Sequence, residues 1–324
     1  MTRSERHGLA FCAIAATGFG AMAVLAKLAY RAGVDPVTLL AVRFALAAAL
    51  LWALAARAGG VARPARRAIA GGLALGGVLY ATEAGLFFAS LTRLDASVAA
   101  LVLYVYPALV VAGAIALRRE RLTRRRAAAL GVALTGVALV LVGGTGVAID
   151  PLGATLALCA ALGYTGYILA AEYLGRGLDA RRLAALLCTG AAITFTLVGI
   201  GTGRLDLSLT VAGWGWVAAL ALVSTVIPIT AFLAGMERVG SGRASILSTI
   251  EPPVTVGLAL LAFGERLAPA QLAGGVLVVA AVALTIPGLR VLPRLRVALA
   301  SRRDGAAAQP SPEAPAGALG EIAA

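Results

Sequence analysis

"YPALVVAGAIALRRERL" at residues 106–122 and "EPPVTVGLALLAFGERL" at residues 251–267 lie over one another without a gap when the chain is shifted by 145 positions. Pro107 falls on Pro252, and Glu120-Arg121-Leu122 falls on Glu265-Arg266-Leu267. Carried back to residue 79, the same register pairs Phe87 with Phe232, Arg93 with Arg238 and Ala99 with Ala244. Alanine- and leucine-rich segments match by chance at apolar positions. Chance does not supply the proline and the Glu-Arg-Leu in register. After the shared Glu-Arg-Leu the first copy continues "TRRR" and the second "APA". An apolar element repeated with opposite flanking charge is one whose second copy crosses a bilayer in the opposite sense.

Working outward, a helix needs about 20 apolar residues to cross about 30 Å of hydrocarbon. That rule predicts ten spans, near residues 8–30, 36–57, 68–92, 96–117, 127–147, 151–175, 183–203, 211–235, 244–263 and 270–289. Five fall in each half, and an odd number inverts the second half relative to the first. The expected fold is an all-α integral membrane protein of ten transmembrane helices in two inverted five-helix repeats. The repeats are residues 1–147 and 148–290, followed by a tail at 291–324 that is basic first and then rich in Ala, Pro and Gly. Such a tail reads as disordered.

The positive charges test this map. Of 28 Lys and Arg residues, 22 fall in segments on the side of both termini and four, Arg31, Arg93, Arg204 and Arg266, on the other side. Positive charge collects in cytoplasmic loops, so both termini are expected in the cytoplasm of a cell membrane of the bacterial inner type. Lys27 and Arg43 are left inside the apolar runs.

The chain is 60% apolar and 13% charged, with a mean hydropathy of +0.93. Soluble domains seldom exceed about half apolar. A net charge of +13 in a soluble protein would suggest nucleic acid, but here the arginines sit in short clusters between apolar runs, so no nucleic-acid partner is expected. Cys12, Cys159 and Cys188 lie in apolar runs without pairing or metal spacing. With His7 the one histidine, in the polar N-terminal segment, no metal site and no cofactor are expected. "GGTG" at 143–146 lacks the lysine of a phosphate-binding loop. The basic start and first apolar run mimic a signal peptide, but the run is about 20 residues, lacks an A-x-A cleavage site, and reads as the first span.

The stretch "GFGAMAVLAKLAYRAGVDPVTLLAVRFALAAALL" (18–51) carries a basic residue late in the first helix, Asp-Pro before the second and Arg-Phe within it. Together with the two helix ends at Pro107–Leu122 and Pro252–Leu267, it resembles the EamA-type drug/metabolite transporter superfamily. The resemblance covers nearly the whole chain except the tail. It implies ten helices in two inverted halves, a central substrate cavity and secondary active transport, usually export; it implies no particular substrate. One departure is Arg119-Glu120, where the family often has Gly-Glu, as at Gly264-Glu265.

Ionisable groups in a bilayer core usually face the bundle interior, because insertion there costs at least about 2.5–3.5 kcal/mol. Lys27, the one lysine, shares a small-residue face with Ala13, Thr17, Gly20 and Ala23, which points it inward. Snorkelling to the headgroups is the plainer alternative. Arg43 needs a partner, either a structural ion pair or a substrate anion. Glu83, with Tyr80 and Phe87 on its face, and Glu251, with Ser248 and Thr255, are candidates to hold a cation or a proton; hydrogen-bonded protonated carboxyls between helices are the structural alternative. Glu172 reads as an interfacial charge. Tyr80, Tyr106 and Tyr164 are candidate cavity residues, though most mid-span tyrosines are packed with a satisfied hydroxyl, and Tyr104 and Tyr167 share that reading. Pro107, Pro228 and Pro252 each remove a backbone hydrogen bond and are candidate hinges, the bland reading being a packing kink. Trp214 and Trp216 read as interface anchors.

These readings converge on a secondary transporter of small organic metabolites or drug-like solutes, exporting in direction and coupled to protons through Glu83 or Glu251. Arg43 and Lys27 would take an anionic group and a glutamate an amine, which suits a zwitterion such as an amino acid. A flippase for a lipid-linked substrate is the alternative within transport. A membrane enzyme is disfavoured by the lack of paired carboxylates at metal spacing, histidine clusters or a nucleophile elbow. The expected partners are a small-molecule substrate and the bilayer, and the sequence fits either a monomer or a homodimer.

Overall fold

The computed structural model describes residues 3–57, 65–118, 122–143, 149–174, 178–239, 244 and 247–285. The tail at 291–324, Arg119-Glu120-Arg121 of the first repeat copy, and the junction between the halves at 144–148 lie outside the described residues, as does the side chain of Glu172. Residues up to Pro287 form one compact unit.

Among the described residues the structure is helical, without strands. Eight helices are long and apolar enough to cross a membrane: α1 (Arg3–Arg31), α2 (Pro36–Arg57), α3 (Arg66–Ser90), α4 (Ala96–Ala116), α5 (Arg124–Val142), α6 (Pro151–Leu174), α7 (Ala180–Gly201) and α8 (Val211–Val239). Two shorter apolar helices follow, α9 (Glu251–Phe263) and α10 (Pro269–Thr285). The expectation of ten full-length spans therefore meets eight. The ninth is short because the chain turns at Thr249-Ile250 before Pro252, and α10 is described for only 17 residues.

Local sequence chemistry places the helix ends. Proline opens α2, α6 and α10, where its missing N–H would have no intrahelical partner anyway. Thr123, Asp179 and Thr210 each accept a backbone N–H three residues on, capping α5, α7 and α8. Asp150 does the same ahead of α6 through the Gly153 N–H. Gly33, Gly203 and Gly264 take positive φ where α1, α7 and α9 end, a conformation glycine adopts without strain.

The most extensive helix contacts are α2 on α7, α5 on α10, α1 on α8, and α3 on α6. In the 145-residue register, α1 corresponds to α6 and α3 to α8. The α1–α8 pair thus has its image in α6–α3, while α2–α7 and α5–α10 are their own images. Small residues allow this packing, as expected where lipid offers no hydrophobic drive between helices. At α5–α10 a Cβ on Gly274 would lie 2.5 Å from the Gly136 carbonyl. At α3–α7 a Cβ on Gly76 would lie 2.3 Å from the Leu187 carbonyl. Large side chains such as Leu134, Leu197, Leu261 and Val276 point outward, the arrangement a hydrocarbon solvent allows.

Among the described residues four of the long helices are irregular near their middles. α1 is interrupted at Ala21, between segments Arg3–Gly20 and Met22–Arg31. α4 breaks at Tyr104-Val105, between segments Ala96–Leu103 and Tyr106–Ala116. α3 and α8 each contain a π-helical stretch, Leu75–Tyr80 and Leu222–Val226, overlapping in the repeat register. In α8 the cause is Pro228, whose ring crowds the carbonyl four residues earlier. α3 has no proline there; its wide turn carries Gly76-Gly77 pressed against the α7 backbone.

Candidate functional site

A cavity of about 260 Å³ lies among the helices, with Tyr80 of the α3 π stretch and Tyr104 at the α4 break on its wall. α1 contributes Gly20 and Met22, α2 Arg43, α3 Tyr80 and Glu83, α4 Tyr104 and Tyr106, α6 Tyr164, and α9 Glu251, Pro252 and Thr255, with Ser248 just ahead of α9. Six of the seven candidate binding residues, Arg43, Tyr80, Glu83, Tyr106, Tyr164 and Glu251, are brought together here. Lys27 is placed elsewhere.

Arg43 is buried, 1% exposed, and clamped from several sides. Its Nε donates to Thr225 Oγ1 at 3.0 Å, and Nη2 approaches the Met22 sulfur at 3.7 Å. The guanidinium carbon lies 4.7 Å from the Phe44 ring centre and 5.0 Å from that of Phe88. Nη1 is buried without a hydrogen-bond partner. Among the described residues no carboxylate comes within ion-pair distance of it. Glu83, 7% exposed, lines the same cavity wall. Buried polar groups are nearly always paired, which sets the Nη1 of this cavity-lining arginine apart.

A chain of aromatic rings runs through the wall and the packing behind it, with Tyr104, Tyr106, Tyr164 and Tyr80 lining the cavity. Tyr104, Tyr106, Tyr164, Tyr167, Tyr80 and Phe44 follow one another at centroid distances of 5.8, 4.5, 5.6, 5.3 and 5.5 Å. The Tyr104 hydroxyl donates to the Ser248 carbonyl, which ties α4 to the approach of α9. Glu251 is hydrogen-bonded with the side chain of the same Ser248. Thr255 donates to the Gly20 carbonyl at 2.7 Å, where a Cβ on Gly20 would lie 2.8 Å from the Glu251 carbonyl. α1 and α9 thus touch backbone to backbone beside the carboxylate.

The charges break the repeat. At a shift of 145, Arg43 corresponds to Cys188, Glu83 to Pro228 and Glu251 to Tyr106. The packing around them is preserved: Gly18 backs onto Pro228 and its counterpart Gly163 onto Glu83. A symmetric scaffold therefore carries an asymmetric set of one cation and two carboxyls. All three candidate hinges sit at irregularities. Pro107 follows the break in α4, Pro252 the turn before α9, and Pro228 the π stretch of α8.

Lys27 lies outside this cavity. Its ammonium binds Glu265 Oε1 at 3.2 Å and the Leu94 carbonyl at 3.0 Å, with Asp95 at 3.7 Å. Glu265 in turn accepts from the Ala96 and Ser97 N–H groups and the Ser97 hydroxyl, at 3.0, 3.1 and 2.9 Å. Burial alone would push the Glu265 carboxyl up; those hydrogen bonds and Lys27 outweigh it and hold the carboxyl below the usual range. Sequence reasoning missed Glu265, Ser97 and Thr225. Glu265 was visible only as part of the repeated Glu-Arg-Leu, and no local pattern links residues 238 or 182 positions apart.

The model of the EamA-like transporter family matches this chain twice, over residues 6–142 and 151–286. The two matches begin 145 positions apart, the register read from the sequence. The chain is 28% identical over 291 residues to an uncharacterized transporter, YcbK, of Bacillus subtilis (strain 168), covering 84% of this chain and 90% of that one. It is 29% identical over 287 residues to an uncharacterized transporter of Archaeoglobus fulgidus, covering 86% and 96%. A solved crystal structure of a protein 22% identical superposes with a TM-score of 0.62 over 88% of this chain and 99% of that one, a likeness of fold.

Proposed function

The chain belongs to the EamA-like transporter family, and from that premise we propose that it is a secondary transporter exporting a small organic solute across the cell membrane by alternating access. The observation that carries this reading is the convergence of Arg43, Glu83 and Glu251 on one mid-depth cavity walled by both halves. Ten spans, in two five-helix halves of opposite orientation, fit the doubled family match and the mirrored helix pairs, with α9 and α10 as the last two. The halves rock about Pro107, Pro228 and Pro252, which follow the α4 break, the α8 π stretch and the turn before α9. Both termini lie in the cytoplasm. Three of the four arginines this places outside are engaged: Arg204 with Asp35, Arg93 with Asp150, and Arg31 over the Phe263 ring.

A volume of about 260 Å³ holds roughly nine water-sized groups at about 30 Å³ each. That favours a small metabolite over a lipid-linked substrate. A zwitterion matches the charges, its anionic group on the idle Arg43 Nη1 and its ammonium on a glutamate, with the tyrosine wall taking the rest. Proton coupling is assigned to Glu251, which borders the break before α9. Replacing Glu251 by Gln keeps the shape and hydrogen-bonding capacity but removes the proton site. Export driven by a pH gradient in membrane vesicles should then vanish while the protein still purifies as a single species. Unchanged pH dependence would refute coupling through that residue.

A further inference from the structure

The helix N-termini of α5, α6, α7 and α8 are capped by the side chain immediately before each helix. α4 is different. Asp95 stands at its cap position with extended backbone (φ −62, ψ 146) but makes no cap hydrogen bond, and its side chain is 65% exposed. The free N–H groups of α4 are taken instead by Glu265, which arrives from the connection between α9 and α10 and whose side chain is 7% exposed. Lys27 of α1 closes the cluster, contacting Glu265, the Leu94 carbonyl and, more loosely, Asp95. A helix start leaves several N–H groups without intrahelical partners, and a carboxylate there is favoured by both hydrogen bonding and the helix dipole. Two carboxylates, one from each half of the chain, thus stand within reach of one helix terminus and one ammonium.

The position of this cluster gives it a consequence. The capped segment Ala96–Leu103 is bounded below by the break at Tyr104-Val105. Ala100, Leu103 and Tyr104 of that segment form cavity wall. A swing of the segment about the break would move this part of the wall and pull the α4 terminus away from Glu265. We propose that Glu265, seated on α4 and held by Lys27, is the latch that closes the cavity on this side, and that Asp95 is the alternate cap which takes its place when the latch releases. The exchange makes the gate two-state. In the closed form Glu265 satisfies the terminus across the two halves; in the open form Asp95 satisfies it locally, so that opening leaves no bare N–H groups. This rests on the transporter reading for its purpose but not for its test, which needs no substrate.

The two acids should act in opposite directions. The probe is a single cysteine at Ala100, with Cys12, Cys159 and Cys188 replaced by serine, labelled by a membrane-impermeant maleimide in intact cells and in inverted vesicles. Glu265→Gln weakens the closed form and should raise labelling from the Lys27 side by about tenfold or more, since charge-assisted hydrogen bonds are lost only there. Lys27→Met should act in the same direction. Asp95→Ala removes the cap of the open form and should lower labelling several-fold, and it touches too little of the closed structure to threaten folding. Reversing the pair as Lys27→Glu with Glu265→Lys should not restore closure, because the α4 N–H groups need an anion. The proposal is overturned if Asp95→Ala raises labelling, if Glu265→Gln leaves it unchanged in a monodisperse protein, or if the reversed pair behaves as wild type. Should the latch variants leave labelling unmoved while Glu251→Gln still loses pH-driven export, the latch is wrong and the transport reading stands. If labelling shifts as stated but no solute is ever moved, the latch stands without it.

Discussion

Replacing Arg43 by methionine separates a structural arginine from a binding one. The side chain is 1% exposed, with hydrogen bonds to Thr225 and to the Met22 sulfur, two ring contacts and an Nη1 without a partner. Losing the Thr225 contact costs about 1.5–3 kcal/mol, and the cation–ring contacts about 0.5–2 kcal/mol each. Against that, the substitution removes an orphaned buried donor, about 1–3 kcal/mol, and the desolvation penalty of an unpaired charge, several kcal/mol. Methionine keeps the apolar packing on Phe44 and Phe88, and Thr225 keeps its own donation to the Leu220 carbonyl. The losses, about 2.5–7 kcal/mol, and the gains are of similar size and opposite sign, so they largely cancel. With roughly 2–4 °C of Tm per kcal/mol in chains of this size class, the melt followed by tryptophan fluorescence should move little and in either direction. Transport should fall by tenfold to more than a hundredfold, because a charge-assisted contact of about 1.5–3 kcal/mol to the solute is gone and each 1.4 kcal/mol is a factor of ten. Had Arg43 served a buried ion pair, removal would strand its partner at about 3–5 kcal/mol. A Tm drop of more than about 10 °C with transport retained would refute the reasoning.

Two further outcomes follow from packing and orientation. Gly274→Ala drives a Cβ to 2.5 Å from the Gly136 carbonyl and should lower the Tm by forcing α5 and α10 apart. The control Gly131→Ala meets nothing within 4 Å and should be neutral or stabilising, since alanine is the better helix former by about 1 kcal/mol; equal effects would contradict the close approach of α5 and α10. A fluorescent protein fused to the C-terminus should fluoresce and an alkaline phosphatase fused there should be inactive, and the reverse would sink the orientation together with the arginine count.

Much of the scaffold was legible because it rests on local rules. Pro107 and Pro252 stand 145 residues apart in the sequence, and the chain is irregular just before each, since a residue without an N–H cannot extend the preceding turn. Arg43, Glu83 and Glu251 stood out because ionisable groups in apolar runs are rare for an energetic reason, and the fold gathers them on one cavity. What escaped was set by partners remote in sequence. Nothing near Lys27 announces Glu265, and nothing near Arg43 announces Thr225. The π stretch at Leu75–Tyr80 was hidden for a related cause, because it arises where α7 presses on Gly76 rather than from a proline of its own. The shortness of α9 was also unreadable, since its apolar run continues across the turn at Thr249-Ile250.

The central claim is that solute passes through the cavity bounded by Arg43, Glu83 and Glu251. Its most direct test is a mass-spectrometric comparison of the medium around cells overproducing wild-type protein, the Arg43→Met variant, or neither. At least one small solute should accumulate outside only with the wild type, at matched membrane levels of both proteins. Equal accumulation with the variant, or no solute enriched by the wild type, would contradict it.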